Sequence, residues 1–238
     1  MIEDTEQASS VTFSLKRNLA GSLQEPDDYI VNISGRIYGD EEEVGRMKGY
    51  IIQVERALEN KQDLFEACGA HSQTVEDYYE ALFDIDTGEI KECIQEQLDF
   101  FQAGDILILD RIEVLPAYRK RGLGLAVACS FIDTFGKTYG LAVGLPYPLQ
   151  FDTNEKSEWN GKMQFENLAN DKGLATKKLE AYWVKLGMNR LQGVDIHGSS
   201  VYGLCFEQDT TDSGSTGATF IAFKTNILVL VMLLSLVE

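Results

Sequence analysis

A short stretch of the chain combines positive charge with glycine in an arrangement that suits phosphate binding. Residues 114–125 read Val-Leu-Pro-Ala-Tyr-Arg-Lys-Arg-Gly-Leu-Gly-Leu, with three successive cations directly before the first of two glycines. Glycine has no Cβ, so its backbone can approach a ligand closely, and the start of a helix presents free N–H groups and a positive dipole end. The chain is otherwise acidic, with 38 Asp and Glu against 21 Lys and Arg. The segment therefore predicts a turn that holds a phosphate or a pyrophosphate.

Two well-known phosphate motifs do not fit this turn. A dinucleotide fingerprint needs a third glycine where this chain has Val127, and it places its glycines directly at the end of a strand. A P-loop is suggested by Gly136-Lys137-Thr138, but its first glycine would fall at Phe131, and the triplet follows a predicted helix instead of opening one. A basic loop that only caps a core helix remains the alternative interpretation.

The elements on either side of the turn follow from hydrophobic periodicity. Residues 105–115 predict a central strand in which Asp110, Ile112 and Val114 share one face. An amphipathic helix follows and ends at Gly136. Its inward stripe consists of Leu125, Ala128, Cys129, Ile132 and Phe135. This order places the basic turn between a buried strand and the first turn of a helix.

The rest of the chain alternates between strand and helix patterns. Strands are predicted at 11–16, 29–38 and 49–54, with an acidic turn at 39–43 between the second and the third. A helical segment at 56–101 follows; a turn at 86–88 interrupts it, and a last helix is predicted at 90–101. After the central helix come a short strand at 141–145, a helix at 174–186 before Gly187, and a strand pair at 194–206 that turns at 198–199.

Two stretches resemble the GNAT superfamily of N-acetyltransferases. The first has the pattern of the family's motif A, namely Arg119-x-x-Gly122-x-Gly124 preceded by Val114-x-Pro116. The second, Tyr182-Trp-Val-Lys-Leu-Gly-Met188, is similar to the closing helix of the family, which usually ends in aromatic-x-x-Leu-Gly-Phe. The resemblance covers about residues 11–207. It implies an α/β fold with a mixed, mostly antiparallel sheet flanked by helices, here with a helical insertion before the central strand. It also implies transfer of an acetyl group from acetyl-CoA to a primary amine.

The resemblance indicates where acetyl-CoA would bind. The backbone from Ile112 to Val114 would pair with the pantetheine arm like an added strand, and the backbone from Arg119 to Leu125 would hold the pyrophosphate. Arg119 or Arg121 would add charge-assisted hydrogen bonds, and a strand N–H would polarise the thioester carbonyl. The predicted cofactor-binding residues are Ile112, Val114, Arg119, Lys120, Arg121, Gly122, Leu123, Gly124 and Leu125.

Three residues are candidates for proton transfer. An acceptor amine that arrives as an ammonium must lose a proton, for which Asp110 is the first candidate and Glu113 the second. A salt bridge with Arg111 is the alternative for either carboxylate. Members of the family often protonate the departing thiolate with a tyrosine four residues before the closing glycine. This chain has Trp183 there, which cannot act as that acid, and Tyr182 one place earlier. Either Tyr182 substitutes through a shifted register or solvent protonates the thiolate.

Composition limits the partners. A formal charge of −17 argues against nucleic acid as a ligand. The acidic side chains of the helical insertion, Glu76, Asp77, Glu80 and Asp84, favour a cationic acceptor, although a solvated acidic face is the more common reason for such residues. Four cysteines without a C-x-x-C pair and two histidines predict no metal site. No signal peptide is evident in the polar first ten residues, so we expect a cytoplasmic location with reduced thiols.

The C-terminal region differs in composition from the rest. We predict an acyltransferase domain over 1–207, a flexible Thr/Ser/Gly/Asp linker over 208–218 and an apolar tail over 219–238. As a helix, residues 227–237 would cover about 16 Å, against a hydrocarbon slab of about 30 Å. A packed or atypical terminus is therefore favoured over a membrane anchor.

Other function classes stay open at this point. A non-catalytic acyl-CoA-binding sensor or scaffold is the main alternative, because Trp183 stands where an acid is expected. A membrane-anchored adaptor rests on the apolar tail alone. The sequence does not indicate whether the acceptor is a small molecule, a peptide N-terminus or a lysine side chain.

Overall fold

A computed structural model of the chain describes residues 9–17, 25–98, 104–136, 140–152 and 157–205. Seven strands in these ranges form one sheet with the order β1-β2-β3-β4-β5-β7-β6. They are β1 (Ser9–Lys16), β2 (Ile30–Gly39), β3 (Glu42–Ile52), β4 (Ile106–Val114), β5 (Leu141–Gly144), β6 (Asn189–Ile196) and β7 (Ser199–Cys205). The helices are α1 (Val54–Glu59), α2 (Leu64–His71), α3 (Gln73–Leu82), α4 (Glu92–Gln95), α5 (Leu123–Phe135), α6 (Glu158–Met163) and α7 (Lys172–Lys185).

The sheet is mixed and mostly antiparallel, as predicted. Of its six neighbouring strand pairs in the described ranges, β4 with β5 is the parallel one, and the others are antiparallel. Helices α1 to α4 lie between β3 and β4 in the chain, so the predicted helical insertion before the central strand is confirmed.

The β2–β3 hairpin is longer than its apolar pattern predicts. The third strand begins at Glu42, not at residue 49, and it follows a turn in which Asp40 and Glu41 both have positive φ, 51° and 68°. Exposed Arg46 and Lys48 alternate with buried Met47 in this strand. The charged residues interrupt the continuous apolar run without breaking the alternation of a half-buried strand.

Each face of the sheet packs against different helices. On the first face, Tyr50 and Ile108 form a core with residues of α1, α2 and α3, such as Tyr78. On the second face, Leu107 packs against α5 and α7 through Phe131 and other residues. The first face is covered only in part, because farther along β2 and β3 its side chains are exposed to solvent.

The local signals for the helices lie at their first residues. Asp63, Ser72 and Asp171 accept hydrogen bonds from amides of the first turns of α2, α3 and α7. Past α7, Gly187 adopts a φ of 80°, as a helix-terminating glycine does. The helix predicted at 90–101 is reduced to α4, since Ile90 instead bridges to Phe83; residues 99–101 lie outside the described ranges.

The C-terminal predictions fall on residues that the structure does not describe. The boundary at 207, the linker at 208–218 and the tail at 219–238 all lie outside the described ranges and stay predictions. No helix within the described ranges combines the length and apolar character that a membrane crossing requires.

Candidate acyl-donor site

The parallel strands β4 and β5 separate beyond Leu109. Their pairing runs from Ile106 opposite Leu141 to Leu109 opposite Gly144 and ends there. β4 continues to Val114, paired on its other side with β3. A cleft of about 450 Å³ lies beside this part of β4 and extends to the Gly122 turn, α5 and α7. The cleft edge of β4 therefore has no strand partner among the described residues.

The basic turn ends at the N-terminus of α5, as predicted. Gly122 is the residue before the helix and has a φ of 70°, and Lys120 has a φ of 62°. The first hydrogen bond of the helix joins the Ala126 N–H to the Gly122 carbonyl across 3.0 Å. The amides of residues 123–125 therefore have no acceptor within the helix, and glycine offers them no capping side chain. A Cβ added to Gly122 would meet nothing within 4 Å, so there is room for an anion here.

The guanidinium of Arg119 is occupied by the protein itself. Its Nε donates to the carbonyl of Val114 across 2.8 Å, and its Nη2 donates to the carbonyl of Met163. Arg119 thus ties the end of β4 to the end of α6. Arg121 lies 5.5 Å from the ring centroid of Tyr118. The phosphate contacts expected of these cations stay predictions, and for Arg119 the structure shows a bracing role.

Tyr182 and Trp183 of α7 both line the cleft. A Cβ added to Gly124 would lie 2.8 Å from the Tyr182 hydroxyl, so this phenol reaches the first turn of α5. Burial raises the pKa of Tyr182, and the nearby Cys129 thiol contributes in the same direction. The indole of Trp183 occupies the space where a side chain on Gly144 would be. The sequence reasoning placed Tyr182 away from the family position, yet its hydroxyl lies at the cleft.

A bulge in β4 falls at Asp110. On β3, Gly49 lies opposite Leu109 and its neighbour Lys48 lies opposite Arg111, which leaves Asp110 without a partner. A one-residue bulge reverses the side-chain alternation of a strand beyond it.

The bulge contradicts the predicted shared face of Asp110, Ile112 and Val114. Ile112 and Val114 pack with the second core. Asp110 instead interacts electrostatically with Tyr50 and Tyr78, both of the first core. Asp110 nevertheless lines the cleft, so it lies where the cleft meets the first face of the sheet.

Burial and the neighbouring charges shift the pKa of the Asp110 carboxyl group in different directions. Burial raises the pKa of its carboxyl group, while the charges of Lys48 and Arg111 act to lower it and Asp152 acts to raise it. The net shift is upward. A carboxylate whose pKa lies above its usual value is a better proton acceptor than an exposed one.

Glu113 takes part in structural contacts instead of facing the cleft. It is 6% exposed, and its Oε2 accepts a hydrogen bond of 2.8 Å from the indole N–H of Trp159. Its Oε1 lies 3.5 Å from Nη1 of Arg111, whose Nη2 lies 3.1 Å from Asp152. Glu113 is not among the residues that line the cleft. These contacts favour the structural alternative for Glu113.

Sequence reasoning missed α6 and its Trp159. Two features of the sequence could have indicated this helix. Ser157 is a typical residue before a helix, and its hydroxyl accepts a hydrogen bond of 3.1 Å from the Asn160 N–H. Buried Trp159 and Met163 are spaced one helical turn apart. The helix is short and lies in a polar stretch, so its pattern is weak. The partner of Trp159, Glu113, is 46 residues away in the chain.

The acidic residues of the insertion do not lie at the cleft. Asp77 accepts a hydrogen bond of 2.9 Å from Gln73 and lies 3.0 Å from His197, in the turn between β6 and β7. Asp84 accepts from the amides of Asp86 and Thr87, both at 3.0 Å. These contacts give no support to the cationic acceptor that the acidic insertion suggested. In the described ranges, no group of three or more His, Cys, Asp or Glu side chains is placed to hold a metal ion.

Comparison with known proteins gives likenesses in fold. No protein-family model and no curated protein matches the sequence. A solved N-acetyltransferase from Staphylococcus aureus Mu50 is 11% identical, with 73% of this chain and 69% of that chain covered and a TM-score of 0.35. An agmatine N-acetyltransferase is 10% identical, with 73% and 76% covered and a TM-score of 0.33.

A polyamine N-acetyltransferase from Drosophila melanogaster, which catalyses the formation of N-acetylagmatine, is 9% identical. The match covers 73% of this chain and 74% of that one, with a TM-score of 0.33. The described sheet is mixed and mostly antiparallel with one parallel pair, which agrees with the fold class that the sequence predicted.

Proposed function

We propose that this chain is an N-acetyltransferase that moves an acetyl group from acetyl-CoA to a primary amine. The observation that carries the proposal is the meeting of two features at one cleft. The amides of the first turn of α5 lack acceptors within the helix next to Gly122, and the cleft edge of β4 has no described strand partner. The first feature suits a diphosphate, and the second suits an extended arm with amide groups.

The donor is held mainly by backbone groups in this proposal. The amides of residues 123–125 bind the diphosphate, and the exposed side chains of Lys120 and Arg121 add positive charge. Because Arg119 already occupies the carbonyl of Val114, pairing with the pantetheine arm rests chiefly on Ile112. When bound, acetyl-CoA supplies an acyl group activated as a thioester.

Asp110 and Tyr182 carry the proton transfers. The ammonium of the acceptor loses a proton to the Asp110 carboxylate, and the amine nitrogen then bonds to the acyl carbon as the carbon–sulfur bond breaks. The nitrogen releases its second proton to solvent as the amide forms. The raised pKa of Asp110 supports its role as the base. Tyr182 donates its phenolic proton to the departing sulfur and recovers one from solvent. Its burial keeps the phenol protonated until it is used.

The thiols support a reducing compartment. None of the four cysteines, Cys68, Cys93, Cys129 and Cys205, forms a disulfide in the described ranges, which is usual for proteins of the cytoplasm. We place the enzyme there.

The test measures binding and turnover separately. Calorimetry with CoA reports on the donor site, and thiol release from acetyl-CoA with a panel of primary amines reports on catalysis. We expect binding and amine-dependent thiol release, with the Asp110→Asn variant binding CoA but losing turnover. Absence of CoA binding would overturn the proposal.

A non-catalytic acyl-CoA sensor is the second candidate. Trp183 favours it, because an indole stands where the family uses an acid and its ring is committed to packing against Gly144. Binding of CoA without turnover on any amine would support this candidate over the enzyme.

A further inference from the structure

An exposed, positively charged surface lies on the part of the first sheet face that helices leave uncovered. It consists of Arg36 on β2 and of Arg46 and Lys48 on β3, and we call it the basic face. Alternation along the strands places these residues on the same side as Tyr50 and Ile52, which pack under α1 to α3. All three basic residues are exposed.

The protein compensates the charges of these cations only in part. Arg36 lies directly opposite Arg46 in the β2–β3 pairing, and like charges at opposed positions destabilise a sheet. Arg46 is compensated by an ion pair with Glu43 and by stacking 4.0 Å from the ring centroid of Trp159. Lys48 lies 5.1 Å from the ring centroid of Tyr50, and neither Arg36 nor Lys48 forms an ion pair with a described acidic side chain. In a chain with a formal charge of −17, such a surface points to an anionic ligand.

The basic face continues into the proposed active site. Lys48 lies opposite Arg111, next to the bulge at Asp110, and its charge acts on the Asp110 carboxyl group. The face is bordered by α6 at Trp159 and by α2, whose His71 is hydrogen bonded to Asn32 of β2. An acceptor whose amine lies at Asp110 therefore has the rest of its length beside these cations.

We propose that the basic face binds the acidic N-terminal segment of a peptide whose α-amine is acetylated at Asp110. This inference rests on the proposed function and names its acceptor class. Arg36 and Arg46 lie opposite each other on strands about 4.8 Å apart, and Lys48 and Arg46 are about 7 Å apart along one strand. Carboxylates on alternate residues of an extended chain project to one side about 7 Å apart, so they match these cations more closely than the single charge of a small metabolite does.

The α-amine is favoured over a lysine side chain for a chemical reason. An α-amine has a pKa of about 7.7 to 8.0, against about 10.4 for a lysine side chain. A carboxylate base can therefore deprotonate an α-amine far more readily. Asp or Glu in the next few positions would then bind the guanidinium and ammonium groups through charge-assisted hydrogen bonds.

Two short peptides with the same first residue test the inference. One carries three Glu residues after the first position, and the other carries Gln in their place. Calorimetry without an acyl donor measures binding, and thiol release with acetyl-CoA measures turnover. We expect the Glu peptide to bind roughly tenfold more tightly at low salt, and we expect added salt to reduce the difference.

Charge reversal provides the control. Arg36→Glu and Lys48→Glu should each abolish the preference for the Glu peptide, and Arg36→Gln should weaken it. Arg190→Glu is the matched variant, because Arg190 is also an exposed strand residue but lies on β6, at the other end of the sheet order. It should leave the preference unchanged. Melting temperatures verify that each variant is folded.

The outcomes separate this inference from the proposed function. Acidic-peptide binding that Arg36→Glu removes, without any acetyl transfer, would uphold the binding surface and count against the enzyme. Equal use of the two peptides, or a preference that survives Arg36→Glu, would overturn the inference while leaving the enzyme intact. Stronger turnover of a small amine that carries one carboxylate than of either peptide would also overturn it.

Discussion

The indole N–H of Trp159 donates a 2.8 Å hydrogen bond to the buried carboxylate of Glu113. This contact fastens α6 to the end of β4, beside the strand edge that faces the cleft. Glu113 in turn lies 3.5 Å from Arg111, so the bond supports the group of charges around Asp110. A side chain that the sequence analysis missed thus supports the candidate base.

Replacing Trp159 by Phe keeps a smaller aromatic ring but removes the N–H donor. We expect the free energy of unfolding to fall by about 1.5–3 kcal/mol, the usual value of a hydrogen bond to a charged group. Urea denaturation at neutral pH measures it. Unchanged stability would show that solvent or another donor replaces the indole.

Gly144→Ala would bring a methyl group into the indole of Trp183. Overpacking of this kind costs about 1–3 kcal/mol, and the companion change Trp183→Leu should recover part of the loss. Gly161→Ala is the control: its Cβ would meet nothing within 4 Å, and alanine inside a helix gains about 0.5–1 kcal/mol over glycine. Equal stability of the two alanine variants, measured by denaturation, would contradict the packing shown here.

Gly122→Ala should affect both stability and CoA binding. Gly122 has a φ of 70°, a conformation that costs an alanine about 1–2 kcal/mol, and its Cβ would project into the space assigned to the diphosphate. Gly198→Ala is the matched control for backbone strain. Gly198 has a φ of 76° and equally open surroundings, but it lies in the β6–β7 turn, away from the cleft. Both variants should lose similar stability, and Gly122→Ala alone should weaken CoA binding in calorimetry.

The raised pKa of Asp110 links pH to both stability and activity. The folded state binds this proton more tightly than the unfolded state does, so the group favours folding below its ordinary pKa of 3.8. That contribution is lost as the pH rises through the raised value. Asp110→Asn should therefore be more stable than the parent at neutral pH, and the difference should shrink in acid. Denaturation across that range measures it.

As the pH is lowered, kcat/KM of the parent should begin to fall at a pH above 3.8, the ordinary pKa of an aspartate. The Asp110→Asn variant should lack turnover at every pH. An acid limb at or below 3.8 would exclude Asp110 as the base.

Tyr182→Phe tests the acid. Its hydroxyl lies at the cleft and burial raises its pKa, so the parent should lose no activity from Tyr182 ionisation below the ordinary value of 10.0. Removing the hydroxyl should lower kcat by about 10²-fold or more, as for general-acid groups, with CoA affinity preserved. Unchanged kcat would assign thiolate protonation to solvent.

Local signals sufficed for most elements of the fold. The glycine turn, α5 and α7 could be placed from periodicity and from the residues that begin and end each helix. The extent of β3 could not, because Arg46 and Lys48 interrupt its apolar run and are tolerated on an open face.

The site was less accessible to sequence reasoning because its geometry depends on distant residues. The bulge at Asp110 is a property of the pairing between β3 and β4, which are separated by the whole helical insertion. Likewise, the hydrogen bond from Arg119 to the carbonyl of Met163 joins residues 44 positions apart. A pattern along one strand carries no information on such contacts.

The short parallel ladder between β4 and β5 also has a consequence for how the chain assembles. Four residue pairs join β4, and with it β1 to β3, to the half of the sheet that contains β5, β7 and β6. Antiparallel neighbours such as β2 and β3 close over a tight turn, whereas this seam must wait for a longer loop to close. We expect the β2–β3 hairpin to condense early, and the β3–β4 and β4–β5 pairings, which close the longer connections through the helical insertion and through α5, to form later.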